Sequence, residues 1–167
     1  MLILAHELGH IISVKILRVP IYEINFGAMS IDIPKPPLYH RKSFNHKMVI
    51  ILSGSGLNFL IFMFFAGIYI ITGKEFMALI AFQSLVIGVI NILPIESLDG
   101  GEALNLVLHR YFSRESSKKI SNILSLIFLV AVSFLGVFLV IKARHNISII
   151  MFVIYLIFEK YFDMNFI

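Results

Sequence analysis

An all-α, multi-pass membrane protein is the fold class this sequence predicts, and three observations predict it. The chain is 59% hydrophobic and only 14% charged, whereas soluble domains run near half apolar and a quarter charged. Its mean hydropathy is +0.92. Uncharged apolar runs recur at 48–72, 76–93 and 120–141, with a shorter one at 147–158. So little polar surface cannot clothe a water-soluble globule. A soluble protein with an outsized core is the alternative, and uncharged runs of this length disfavour it. The length suits a single membrane-embedded domain over residues 1–167.

Residues 1–17 read as a helix with Leu8, Ile11, Ile12, Ile16 and Leu17 on its apolar faces. It is short for a membrane span and carries two histidines and a glutamate in its first three turns. The expectation is a truncated first transmembrane helix, with further residues upstream. No basic n-region or small-residue cleavage site marks a signal peptide. In the polar connection that follows, Ile21, Ile24 and Phe26, then Met29, Ile31 and Ile33, flank Gly27-Ala28. That pattern predicts a short β-hairpin over 21–33 in the first cytoplasmic loop. Pro34, Pro36 and Pro37 end it.

At about 1.5 Å per residue, the run at 48–72 exceeds the roughly 30 Å hydrocarbon core. The run at 76–93 lies between Lys74-Glu75 and Pro94, and 120–141 is again uncharged. The run at 147–158 is short, but Glu159 and Lys160 can snorkel and extend it. About five transmembrane helices follow, counting the truncated first one. Lys15, Arg18, Lys35, Arg41, Lys42, Lys47, Arg110, Arg114, Lys118 and Lys119 then fall on one side of the bilayer. Only Lys74, Lys142 and Arg144 fall opposite. The positive-inside rule makes the first side cytoplasmic.

Composition also narrows the chemistry. Cysteine is absent, so disulfides and thiolate metal sites are excluded. The basic residues sit in short clusters between apolar runs, without the continuous basic face that nucleic-acid binding needs. His6-Glu7-Leu8-Gly9-His10 fits the H-E-x-x-H pattern. Positions four apart share a helix face, so both imidazoles can reach one zinc ion with Glu7 beside it as a general base. Two ordinary histidines at a helix start are the bland alternative, but ionisable groups inside apolar segments are costly and usually functional.

A catalytic zinc needs a third protein ligand and an open position. The remaining histidines (His40, His46, His109, His145) adjoin basic connections and read as interfacial. Of the aspartates Asp32, Asp99 and Asp163, Asp99 stands out. It follows Asn91-Ile92-Leu93-Pro94, where proline should break the helix, and precedes Gly100-Gly101, which permits irregular backbone. Such backbone is tolerated at membrane depth where it lines a cavity or is buried in protein. An interfacial turn aspartate is the competing reading.

The pairing of H-E-L-G-H with a later N-x-x-P and L-D-G-G resembles the site-2 protease family of intramembrane metalloproteases (peptidase M50). The order of segments is most similar to the small bacterial branch that includes stage IV sporulation protein FB. The likeness runs from His6 to about Phe158. It implies zinc held by His6, His10 and Asp99, with Glu7 as catalytic base and Asn91 orienting substrate or stabilising the oxyanion. It also implies a membrane-tethered regulatory protein as substrate, a possible regulatory membrane partner, and a bacterial cell membrane with the active site nearer the cytoplasm. Family members often carry Gly-Pro in the next helix. This chain has Ser53-Gly54-Ser55-Gly56-Leu57-Asn58 there, without proline. Those small residues can let helices approach closely, and Asn58 is a weaker carry-over as a second polar assistant. Glu96 neighbours the Asp99 segment, a place that suits a cavity rim. From a different class, a catalytically silent scaffold binding single-span partners remains open, although a binder has no need of Glu7. A zinc protease of another membrane family would usually take a glutamate as third ligand.

Overall fold

The computed structural model describes residues 2–19, 25–26, 31–32, 39 and 41–143. By its internal contacts the chain divides into two compact units, Met1–Ile92 and Leu93–Ile167. The first holds α1 (Leu2–Ile16), β1 (Asn25–Phe26), β2 (Ile31–Asp32), α2 (Phe44–Thr72) and α3 (Glu75–Ile92). The second holds α4 (Asp99–Tyr111) and α5 (Arg114–Ala143).

In the first unit α2 is the central helix, packed against both α1 and α3. Gly73 ends it, with φ +64° and its N–H donated to Tyr69 O at 2.8 Å. This is the left-handed stop that glycine adopts without a Cβ penalty. The chain then turns through Lys74 straight into α3.

Packing in this unit inverts the soluble pattern. The buried faces carry Gly54, Ser55 and Asn58 on α2 and Ala81, Ser84 and Gly88 on α3. Large apolar side chains point outward: Phe64, Phe76 and Phe82 are exposed, and Ile71 is 84% exposed. Lipid tails are as apolar as leucine, so helices in a bilayer associate through close small-residue contact and interhelical hydrogen bonds. Gly9 shows how close: a Cβ there would lie 2.5 Å from Ser53 O and 2.9 Å from Gly54 Cα. At the same crossing Ser53 Oγ donates to Ser13 Oγ at 2.9 Å. Beyond it Val14, Val19, Tyr39 and Ile50 form a small apolar cluster.

Three helices among the described residues are long and apolar enough to cross a membrane: Phe44–Thr72, Glu75–Ile92 and Arg114–Gly136. The expected count of five spans is not reached among them. α1 has 15 residues, about 22 Å of rise, short of the hydrocarbon thickness. α4 is polar along much of its length, and the run at 147–158 lies outside the described residues. Of the hairpin expected over 21–33, the described residues hold only β1 and β2. They pair antiparallel with Asn25 opposite Asp32 and Phe26 opposite Ile31.

The second unit departs from expectation at residue 99. The helix does break before Pro94, but the irregular backbone spans only 93–98, and Asp99 is already the first residue of α4. Asp99 and Glu102 occupy its first turn and His109 and Arg110 its last, charges that suit the helix dipole at both ends. Ile95, 1% exposed, packs with Leu129 and with the half-buried Leu93, Leu98 and Val132. The Glu96 backbone N–H donates to Ser125 Oγ at 2.9 Å. Ser113 caps α5 by accepting the Ser116 N–H at 3.3 Å.

Gly101 makes the turn possible, because a Cβ there would lie 2.1 Å from Ile95 O and 2.6 Å from its carbonyl carbon. Main chain cannot yield as a side-chain tip can. Alanine would gain up to about 1 kcal/mol of helix propensity but would incur overpacking of about 1–3 kcal/mol. Gly101→Ala is therefore expected to destabilise by on the order of 1–2 kcal/mol, read as a lower midpoint of thermal unfolding in detergent.

Candidate metal centre

The first unit brings His6, Glu7 and His10 together on α1, as the i, i+4 spacing predicts. The two histidine Nε2 atoms lie 3.3 Å apart, and the rings meet edge to face with centroids 4.9 Å apart. His6 is buried, 4% exposed, while Glu7 and His10 are half-buried.

Each ring is held from behind by α2. His10 Nδ1 lies 2.9 Å from the Ile50 carbonyl oxygen, and Asn58 Nδ2 lies 3.2 Å from His6 Nδ1. Ser53 Oγ is 3.5 Å from His10 Nδ1. With the outer nitrogens occupied, the inner pair is turned to a common point. Gly54 forms the wall behind that point: a Cβ there would lie 2.4 Å from His10 Nε2 and 2.7 Å from His6 Nε2 and Cε1.

This donor set fits zinc. Two nitrogens each about 2.0–2.1 Å from a tetrahedral ion stand ~3.3–3.4 Å apart, which matches the observed separation of 3.3 Å. Imidazole is a preferred zinc donor, and a partner on the second ring nitrogen is the usual arrangement around metal-ligating histidine. With no cysteine in the chain, further protein ligands must be nitrogen or oxygen.

Each of the other residues singled out by sequence has its own place within its unit. Asn91 lies in the last turn of α3, half-buried, and its Nδ2 donates to Ile87 O at 3.0 Å within its own helix. Asp99 opens α4 in the second unit. Glu96 is half-buried in the turn before it. Asn58, carried over from the resemblance as a second polar assistant, is fully buried and sits against His6. Gly54 was missed as part of the site. The run of small residues around it signals helix contact, but which of them faces the histidines depends on the rotation of α2.

Peptidase family M50 is the family whose model matches this chain, over residues 70–135. The match supports the site-2 protease resemblance and an integral-membrane peptidase of a zinc-dependent family. The matched segment contains Asn91 and Asp99 but not His6-Glu7-Leu8-Gly9-His10. Motif and match are thus independent. No curated protein matches the chain.

Proposed function

We propose that this protein is a zinc metalloendopeptidase of the site-2 type. It would hydrolyse a peptide bond in or near a transmembrane segment of a membrane-tethered regulatory protein. The observation that carries the reading is the pair of Nε2 atoms 3.3 Å apart, both rings anchored on α2, with Glu7 following His6 in the same helix. His6 and His10 would hold the metal, with Asp99 as third ligand. The support for Asp99 is the motif resemblance and its place inside the segment matched by the family.

Zinc, when bound, supplies Lewis acidity, acidifying an attacking water and polarising the scissile carbonyl. Glu7 takes the proton from that water and delivers it to the leaving amide nitrogen. Asn91 holds the substrate backbone or the developing oxyanion. A transmembrane substrate must unwind locally before its peptide bond is accessible, and the edge formed by β1 and β2 can receive the unwound segment as an added strand. The basic clusters support a bacterial-type orientation with the site nearer the cytoplasm. The segment order supports the stage IV sporulation protein FB branch, with a pro-sigma or anti-sigma factor as substrate and a membrane protein as regulator.

Single replacement of His6, His10 or Asp99 by alanine is expected to abolish stoichiometric zinc, and with it cleavage of a membrane-tethered reporter. Metal analysis of detergent-purified protein checks the first and immunoblotting the second. Unchanged zinc in Asp99→Ala would remove that residue from the ligand set. An unmutated protein that takes up no zinc would favour a silent scaffold.

A further inference from the structure

The hydrogen-bond chain through the two histidines has a direction. The Ile50 carbonyl can only accept, so His10 carries its proton on Nδ1 and donates it there at 2.9 Å. The neutral ring then offers Nε2 as an acceptor, 3.3 Å from His6 Nε2. At His6 the amide Nδ2 of Asn58 faces Nδ1 at 3.2 Å, and since an amide nitrogen only donates, Nδ1 accepts in this orientation. In this arrangement His10 already has the tautomer of a metal ligand. His6 has the opposite one, because its Nε2 carries the proton.

Asn58 is built to change that. Its Oδ1 is buried and has no hydrogen-bond partner among the described residues. The rest of the residue is clamped: Ser84 Oγ donates to its backbone oxygen at 3.0 Å. A Cβ at Gly88 would lie 3.3 Å from the Asn58 Cβ, so the two helices meet closely there. The amide plane alone is left to turn. Rotation by half a turn about Cβ–Cγ exchanges Oδ1 and Nδ2, atoms of nearly equal size. Either orientation leaves one end of the amide without a partner, so the state of His6 decides between them.

We infer that Asn58 is a positioning residue for the metal. Turned so that Oδ1 accepts from His6 Nδ1–H, it holds His6 in the tautomer whose Nε2 lone pair is free for zinc. This rests on the metal-site reading proposed above. The His6 proton moves from Nε2 to Nδ1, so the ring stays neutral and the proton count is unchanged. His10 needs no such adjustment, since its partner is main chain.

The test uses the full-length protein in detergent, with Zn2+ affinity measured by chelator competition and the visible spectrum of bound Co2+ as a coordination signature. Asn58→Ala and Asn58→Leu are expected to bind zinc about 10–100-fold more weakly, the usual cost of removing such an outer partner, with an altered cobalt spectrum. Asn58→Asp, whose carboxylate accepts from Nδ1–H, should restore wild-type affinity or better. Histidine 15N NMR of the unmutated protein should place the His6 proton on Nε2 without zinc and on Nδ1 with it, a readout that needs no variant to fold. Wild-type affinity and spectrum in the alanine and leucine variants would overturn the inference. So would a folded aspartate variant as weak as alanine, or a His6 proton that stays on one nitrogen. If the unmutated protein binds zinc while these results fail, the site reading stands and only the role of Asn58 falls. If it binds none, both fall.

Discussion

Replacing Glu7 with glutamine is expected to lower the rate of reporter cleavage by about 10²–10⁴-fold, the range a positioned general base contributes. Glutamine keeps the shape and most of the hydrogen-bonding capacity of glutamate but cannot take a proton. The loss corresponds to about 3–5 kcal/mol of transition-state stabilisation. Zinc content and thermal stability should be unchanged, because Glu7 is outside the proposed ligand set. The three measurements separate chemistry from folding and from metal loading. Full cleavage by Glu7→Gln would remove Glu7 from the mechanism, and loss of zinc would make it a ligand instead of a base.

Gly54→Ala is expected to unload the metal without unfolding the protein. The added methyl would sit 2.4 Å from His10 Nε2 and 2.7 Å from His6 Nε2, well inside van der Waals distance. What stands in its way is the far end of two side chains, so the rings can swing aside at modest cost. The helix even gains, since alanine is favoured over glycine by up to about 1 kcal/mol. But rings displaced by about 1 Å no longer aim at a shared ion, and a shift of that size costs on the order of 10²-fold where geometry decides function. We expect zinc affinity to fall by at least about 100-fold, with the melting midpoint close to wild type. Gly56→Ala is the control, because a Cβ there meets nothing within 4 Å. Equal zinc binding in both variants would mean that the rings accommodate the methyl without leaving their aim.

The sequence made the apolar helices legible because charge and length alone decide whether a segment can cross lipid. The runs at 48–72 and 120–141 each fall within a helix of the structure, and that at 76–93 overruns its helix by Leu93 alone. The histidine pair was legible for a similar reason, since i and i+4 share a face on any helix. Asp99 was read as part of an irregular segment because glycine pairs usually loosen a chain. Here Gly101 does the reverse, letting α4 start tight against the Ile95 carbonyl. α4 was not singled out as a helix, as it lacks the apolar run that marked the others. The outer partners of the histidines were illegible for a deeper reason. They depend on which side of α2 faces α1, and in a helix apolar nearly all round, hydropathy does not report rotation. Only the small residues Gly54, Ser55 and Asn58 mark the inner face, and from sequence they read as packing, not as a wall and a brace for imidazoles.

The Ile50 oxygen that holds His10 belongs to the peptide bond and not to a side chain. Every amino acid presents that same atom, so exchange of the side chain at this position leaves the brace in place. Scanning mutagenesis would score position 50 for its contribution to packing and pass over its grip on the imidazole. What can disturb that grip is a slip of α1 along its neighbour, which carries the carbonyl out of line. Half of the support around the histidine pair is therefore encoded in helix register, beyond the reach of point substitution.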